Sequence, residues 1–216
     1  MTDSRHQTLI DALGAELRPV RRLLPPWLRT LGWLLVVAAF AAVLLMRYGA
    51  AHMLQRWAGA PDLGWAAAGA VLTTVCAAWA AFVLGVPGRS RAWAWLPVPG
   101  ALLWIGASGL GCLRTWLAPG TSIATLHQSS DCLVFILGFS VPLSALLIWL
   151  LRRACPLRPV LTAVMVGLAS ASASASLLEI CHAFDAAATD LLTHALAVGI
   201  VVAVNAAMGG RLLTRR

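Results

Sequence analysis

Six long runs of apolar residues, separated by short polar segments, dominate the pattern along the chain. A helix that crosses the hydrocarbon core of a bilayer needs about 20 mostly apolar residues, and each run is close to that length. The runs do not alternate apolar and polar positions, as the strands of a transmembrane barrel do. The pattern therefore predicts an all-α fold, a six-helix transmembrane bundle with short loops, whose spans cover residues 27–46, 63–86, 93–113, 132–151, 160–178 and 191–208.

The segment before the first run has a different pattern. Its apolar residues recur mainly at steps of three and four, which places them on one face of a helix: Leu9, Ile10, Leu13, Leu17 and Val20. Pro25 and Pro26 end this helix before the first span. We therefore predict two regions, an amphipathic segment over residues 1–26 and a transmembrane domain over residues 27–216.

The apolar face of this N-terminal helix has two interpretations. It either lies in the headgroup layer of the membrane or binds the groove of a cytosolic partner protein. The polar face carries both acidic and basic residues, Asp11, Glu16, Arg18 and Arg21. This mixture favours a protein partner over anionic lipid.

The composition strengthens the membrane interpretation. Of the 216 residues, 60% are hydrophobic and only 11% are charged, and the mean hydropathy is +0.83. A soluble domain is typically about 25% charged. So few charges cannot cover the apolar surface of this chain, which excludes an ordinary soluble globular protein.

The net charge of +8 comes from 16 arginines, because the chain has no lysine. Thirteen of them fall in the two termini and in the loops near residues 87–92 and 152–159, and Arg47, Arg56 and Arg114 fall on the other side. Basic residues concentrate on the cytoplasmic side of membrane proteins, so both termini are predicted to be cytoplasmic. The cytoplasmic arginines are explained by this topology and by contact with the anionic headgroups of the lipid bilayer. A nucleic-acid-binding protein would carry basic and aromatic residues together on one exposed domain, and because the sequence has no such domain we predict no direct binding of nucleic acid.

Three of the five cysteines, Cys112, Cys132 and Cys181, fall at or near the outer ends of predicted spans. Cys132 begins the fourth span and Cys181 follows the fifth, and neither lies in a C-x-x-C or zinc-type motif. If these spans pack side by side, thiols, imidazoles and carboxylates converge into a candidate metal site: His127, Asp131, Cys132, Glu179, Cys181 and His182. Such ligands suit soft or borderline cations, and two outer cysteines can also form a disulfide. The alternative is that all of them are ordinary interfacial residues.

The interior of the spans offers little further chemistry. Alternating serine and alanine over residues 170–176 lets neighbouring helices approach closely, although a serine-lined polar path is the alternative. No span carries a charge at its centre, which argues against a proton-coupled pump or an ion channel. No catalytic domain lies outside the spans, so we expect neither an enzyme nor a resident cofactor.

Several short motifs together resemble the NrsF-type family of membrane anti-sigma factors. The resemblance starts in the N-terminal segment, at residues 9–13 and 17–20, and continues through Pro25-Pro26-Trp27-Leu28-Arg29. It resumes at Ser129-Ser130-Asp131-Cys132, Phe139-Ser140-Val141-Pro142 and Glu179-Ile180-Cys181-His182, and ends with residues 190–194. The motifs cover nearly the whole chain in the same order.

This resemblance implies a function. The N-terminal helix would hold an extracytoplasmic-function sigma factor at the bacterial inner membrane, away from RNA polymerase. Cys132 and Cys181 would sense heavy-metal or redox stress, with a metal ion acting only as the signal. A small membrane thiol oxidoreductase or a metal transporter is the alternative, but the first usually has a C-x-x-C motif and the second needs polar residues at the membrane midplane.

Overall fold

The structure, a computed structural model, describes residues 2–16, 23–117, 126–154, 156–181 and 188–214. The described residues form helices and contain no strand, so the all-α prediction is confirmed. Within these described residues, eight α-helices follow one another: α1 (Thr2–Ala15), α2 (Pro26–Tyr48), α3 (Ala51–Gly59), α4 (Pro61–Leu84), α5 (Val98–Leu117), α6 (Leu126–Leu151), α7 (Pro159–Cys181) and α8 (Ala188–Thr214). Short 3₁₀ helices at Arg91–Trp95 and Arg152–Ala154 precede α5 and follow α6.

Six segments of the described chain are long and apolar enough to cross a membrane, and each overlaps a span predicted from the sequence. They lie in α2, α4, α6, α7 and α8 and in Arg91–Arg114, which joins the first 3₁₀ helix to α5. The second span ends at Leu84, two residues before the predicted end. The chain turns there, with Gly88 at a positive φ of 82°, which a residue without a Cβ adopts at little cost.

Helix α7 occupies the centre of the bundle. In its most apolar stretch 72% of the residues are buried, against 17–28% of the residues in the corresponding stretches of α2, α6, α8 and the third span. It packs against α2, α4, α6 and α8. The serine and alanine side chains of residues 170–175 are all buried, and such small residues let four neighbouring helices approach one axis.

The serines of α7 bond to the helices around them. Ser172 accepts a hydrogen bond from Thr74 of α4 at 3.0 Å, and Ser174 accepts one from Ser140 of α6 at 3.1 Å. Ser172 and Ser174 are fully buried. The structure therefore supports the packing interpretation of this tract, in which the hydroxyls join helices.

The connection between the first two spans contains a helix that the sequence pattern did not predict. Gly49 leaves α2 with a positive φ of 76°, and α3 then runs from Ala51 to Gly59. At the N-terminus, α1 ends at Ala15, before the predicted apolar face is complete. Leu17 and Val20 lie outside the described residues.

The described residues of the predicted inner and outer segments lie at opposite ends of the bundle. At one end, Arg56 bonds to Glu179 at 2.8 Å and Arg114 bonds to Asp62 at 3.2 Å. At the other end, the guanidinium of Arg29 donates to the backbone carbonyl of Leu150. Arg158 also donates there, to the carbonyl of Arg89 at 3.4 Å.

Candidate functional site

Cys132 and Cys181 belong to one apolar cluster at the end of the bundle that carries Glu179. Cys132 lies in the second turn of α6 and Cys181 is the last residue of α7. Both pack with Ile136, Leu178 and Ala197, and Cys132 is only 6% exposed. The fourth and fifth spans therefore pack side by side, which was the condition for the two thiols to converge.

The Cys181 side chain is half-buried against this cluster. Glu179, two residues earlier on α7, forms an ion pair with Arg56 at 2.8 Å. The thiol of Cys181 donates a hydrogen bond to the backbone carbonyl of Leu178 in the last turn of α7, with the Sγ atom 3.5 Å from the oxygen. No disulfide joins Cys132, Cys181 or the other described cysteines in this structure. A pair of thiols beside a charged pair can react with an oxidant or bind a soft metal ion.

The predicted metal-binding set is only partly described. Asp131 is exposed near the start of α6, and Glu179 forms an ion pair. The side chain of His127 and the whole of His182 lie outside the described residues. Within the described part of the chain, no three His, Cys, Asp or Glu side chains form a group that could hold a metal ion. The six-residue set therefore stays a prediction.

Arg56 is a site residue that sequence reasoning missed. It lies on α3, and its Nη2 is 2.8 Å from Oε2 of Glu179. The side chain of Arg56 is 8% exposed and that of Glu179 is 28% exposed. A signal was present in the sequence, since Met53, Leu54 and Trp57 have the spacing of one helix face beside Arg56.

The apolar residues of α1 face outwards from the protein. Leu9, Ile10 and Leu13 are 57%, 60% and 58% exposed. Every described side chain from His6 to Glu16 is exposed. Many short helices bind another protein by placing an apolar stripe of this kind into a hydrophobic groove.

These features define a class of protein: a helical bundle with six apolar candidate spans, an exposed N-terminal helix and a thiol cluster at one end. The family model described as "NrsF: Negative regulator of sigma F" matches residues 13–214, nearly the whole chain. The chain belongs to this family, which confirms the resemblance seen in its motifs. It is therefore a negative regulator of a sigma factor, and a sigma factor is its partner. Comparisons with curated proteins and with solved structures gave no match.

Proposed function

We propose that the protein is an anti-sigma factor of the bacterial inner membrane, with both termini in the cytoplasm. Its N-terminal segment, residues 1–26, captures an extracytoplasmic-function sigma factor. A heavy-metal ion or an oxidant acts on Cys132 and Cys181 at the outer face and releases that sigma factor. The observation that carries this proposal is the exposed stripe of Leu9, Ile10 and Leu13 on a chain of this family.

The stripe is suited to a protein partner. Three large apolar side chains, each more than half exposed, gain free energy when a groove removes them from water. The described polar side chains of this segment include Asp11 on α1 and Glu16 directly after it, which do not favour an anionic lipid surface. Pro25 is the N-cap of α2 and Pro26 is the first residue of that helix, so the residues before them precede the first span and lie close to the membrane surface.

A mechanical route connects the two ends. The thiol cluster joins the start of α6 to the end of α7. Further along α6, the carbonyl of Leu143 accepts a hydrogen bond at 3.1 Å from the fully buried indole of Trp33 on α2. Helix α2 also packs against α7. A shift of α6 against α7 would therefore move α2, which directly follows the sigma-binding segment.

A binding measurement with the full-length protein tests the sigma-binding stripe. Leu13→Asp puts a charge in the centre of the stripe and Ala15→Asp puts the same charge on the opposite face of α1, where all described side chains are also exposed. We expect Leu13→Asp to weaken sigma binding by about 2 kcal/mol or more, the effect of losing an apolar interface anchor. Ala15→Asp is expected to bind as the wild type does.

Affinity is measured by titrating purified, detergent-solubilised protein with its cognate sigma factor. Equal affinity of wild type and Leu13→Asp would show that the stripe is not the binding surface. Equal weakening by both variants would mean that added negative charge, and not loss of the stripe, disturbs binding.

A further inference from the structure

A cavity of about 370 Å³ lies between α4, α5, α7 and α8. Most of its walls are aliphatic and small, with one aromatic side chain, Trp104 of α5. Helix α4 contributes Ala66, Ala67 and Ala70, which are at most 7% exposed, so little of their surface faces the surroundings of the bundle. Cavities of this size with mostly apolar walls are typical binding sites for small ligands.

The cavity has polar groups at one end. Glu179 lines it near the end of α7, and His194 lines it in the second turn of α8. Glu179 is held by Arg56, 2.8 Å away. This end therefore offers hydrogen-bond donors and acceptors while the ion pair itself has no net charge.

The apolar part extends from this end towards the middle of the bundle. Along α8 the lining runs from His194 to Val202, which is about 12 Å at a rise of 1.5 Å per residue. In a bilayer, the ends of the spans lie at the level of the lipid headgroups and the middle lies in hydrocarbon. The cavity is therefore polar at one end and apolar along its length, as one leaflet of a bilayer is from headgroup to chain, and the two have a comparable depth.

We propose that this cavity binds one chain of a bilayer phospholipid, whose head group lies against Glu179, Arg56 and His194. The chain lies along the aliphatic walls of α4 and α8, where burial of its methylenes stabilises the complex. Zwitterionic or neutral head groups suit the charge-balanced polar end. The inference rests on the proposed insertion in a bilayer, and the experiment below tests that insertion separately.

Gly199 provides a way to fill the cavity. It lines the cavity on α8, and a Cβ at this position would meet no atom within 4 Å. Gly199→Leu therefore adds a side chain to open space instead of forcing two helices apart. Gly138 on α6 is a matched control, because a Cβ there also meets nothing within 4 Å and the residue does not line the cavity.

The experiment uses the full chain in nanodiscs of phosphatidylethanolamine and phosphatidylglycerol. A fraction of the phosphatidylethanolamine carries a diazirine in one acyl chain, and the adducts formed on irradiation are mapped by peptide mass spectrometry. Val141, which is 69% exposed, reports contact with the surrounding bilayer. Ala66, Ala67 and Ala70 report a chain inside the cavity.

Adducts on the three alanines are expected in the wild type and in Gly138→Leu, and their loss is expected in Gly199→Leu. Ala195→Phe, which fills the same cavity from another position on α8, should also lose them. Adducts on Val141 should persist in all four proteins, which shows that each chain is inserted.

Two results would overturn the lipid site. One is labelling of Val141 with no adducts on the alanines of the wild type. The other is unchanged labelling of the alanines in both cavity-filling variants. Absence of labelling at Val141 as well would instead contradict bilayer insertion, and with it the proposed function.

Discussion

Cys181 packs against an apolar cluster and follows the glutamate of a partly buried ion pair by two residues. Ile136, Leu178 and Ala197 pack with it and with Cys132, while Glu179 bonds to Arg56. The sequence motifs located both cysteines and Glu179, because they fall at the ends of apolar runs. They did not locate Arg56, since its contact with Glu179 joins residues 123 positions apart.

The sensing role of the two cysteines can be tested with serine variants. Cys132→Ser and Cys181→Ser each remove a thiol, so we expect both to abolish sigma release when cells are exposed to cadmium or to a thiol oxidant. The measurement is transcription from a sigma-dependent promoter. Cys76→Ser, which removes a thiol inside α4 away from the cluster, is the control and should respond normally. A normal response in both cluster variants would leave these cysteines with a packing role only.

At the level of helices, glycines set the distance between α4 and α5. A Cβ built on Gly69 would lie 2.5 Å from the backbone nitrogen of Trp104, and one built on Gly100 would lie 2.8 Å from that of Thr73. The two backbones therefore cross in van der Waals contact at this point. Small residues at helix crossings take the place of the hydrophobic driving force, which is weak between helices in lipid.

Replacement of Gly69 by alanine is expected to force this crossing apart. Gly69→Ala should lower the free energy of unfolding by about 1–3 kcal/mol, the usual cost of overpacking. Gly106→Ala on α5 is the control, because a Cβ there meets no atom within 4 Å and alanine favours helix by about 1 kcal/mol over glycine. The comparison is made by denaturant unfolding of the full chain in detergent, followed by circular dichroism. Equal stability of the two variants would contradict the close crossing.

Over the whole molecule, charge and topology divide the bundle into two ends. Arg56, Arg114, Asp62 and Glu179 meet in ion pairs at one end. The span ends that are rich in arginine lie at the opposite end of the bundle, where Arg29 and Arg158 donate hydrogen bonds to backbone carbonyls. This arrangement agrees with the division of loops predicted from the sequence, and the excess of arginine at one end is the basis of the cytoplasmic orientation proposed for it.

The orientation can be measured with reporter fusions. Alkaline phosphatase fused to either terminus should be inactive, because it folds only outside the cytoplasm, and green fluorescent protein at the same positions should fluoresce. Phosphatase inserted after residue 120, in the predicted outer segment between α5 and α6, should be active. Active phosphatase at either terminus would reverse or break the proposed topology.

The sequence by itself determined the number of candidate spans, their helical form and the division of the chain into two sets of loops. These properties depend on apolar runs and charges that are local in the chain, and in lipid a single segment can pair all of its own backbone groups only as a helix. It also marked Cys132, Cys181 and the stripe of α1. The tertiary structure decided which helix is central, which residues meet Glu179 and where a cavity remains. Those features arise from contacts between distant segments, which the apolar pattern of any one span does not specify.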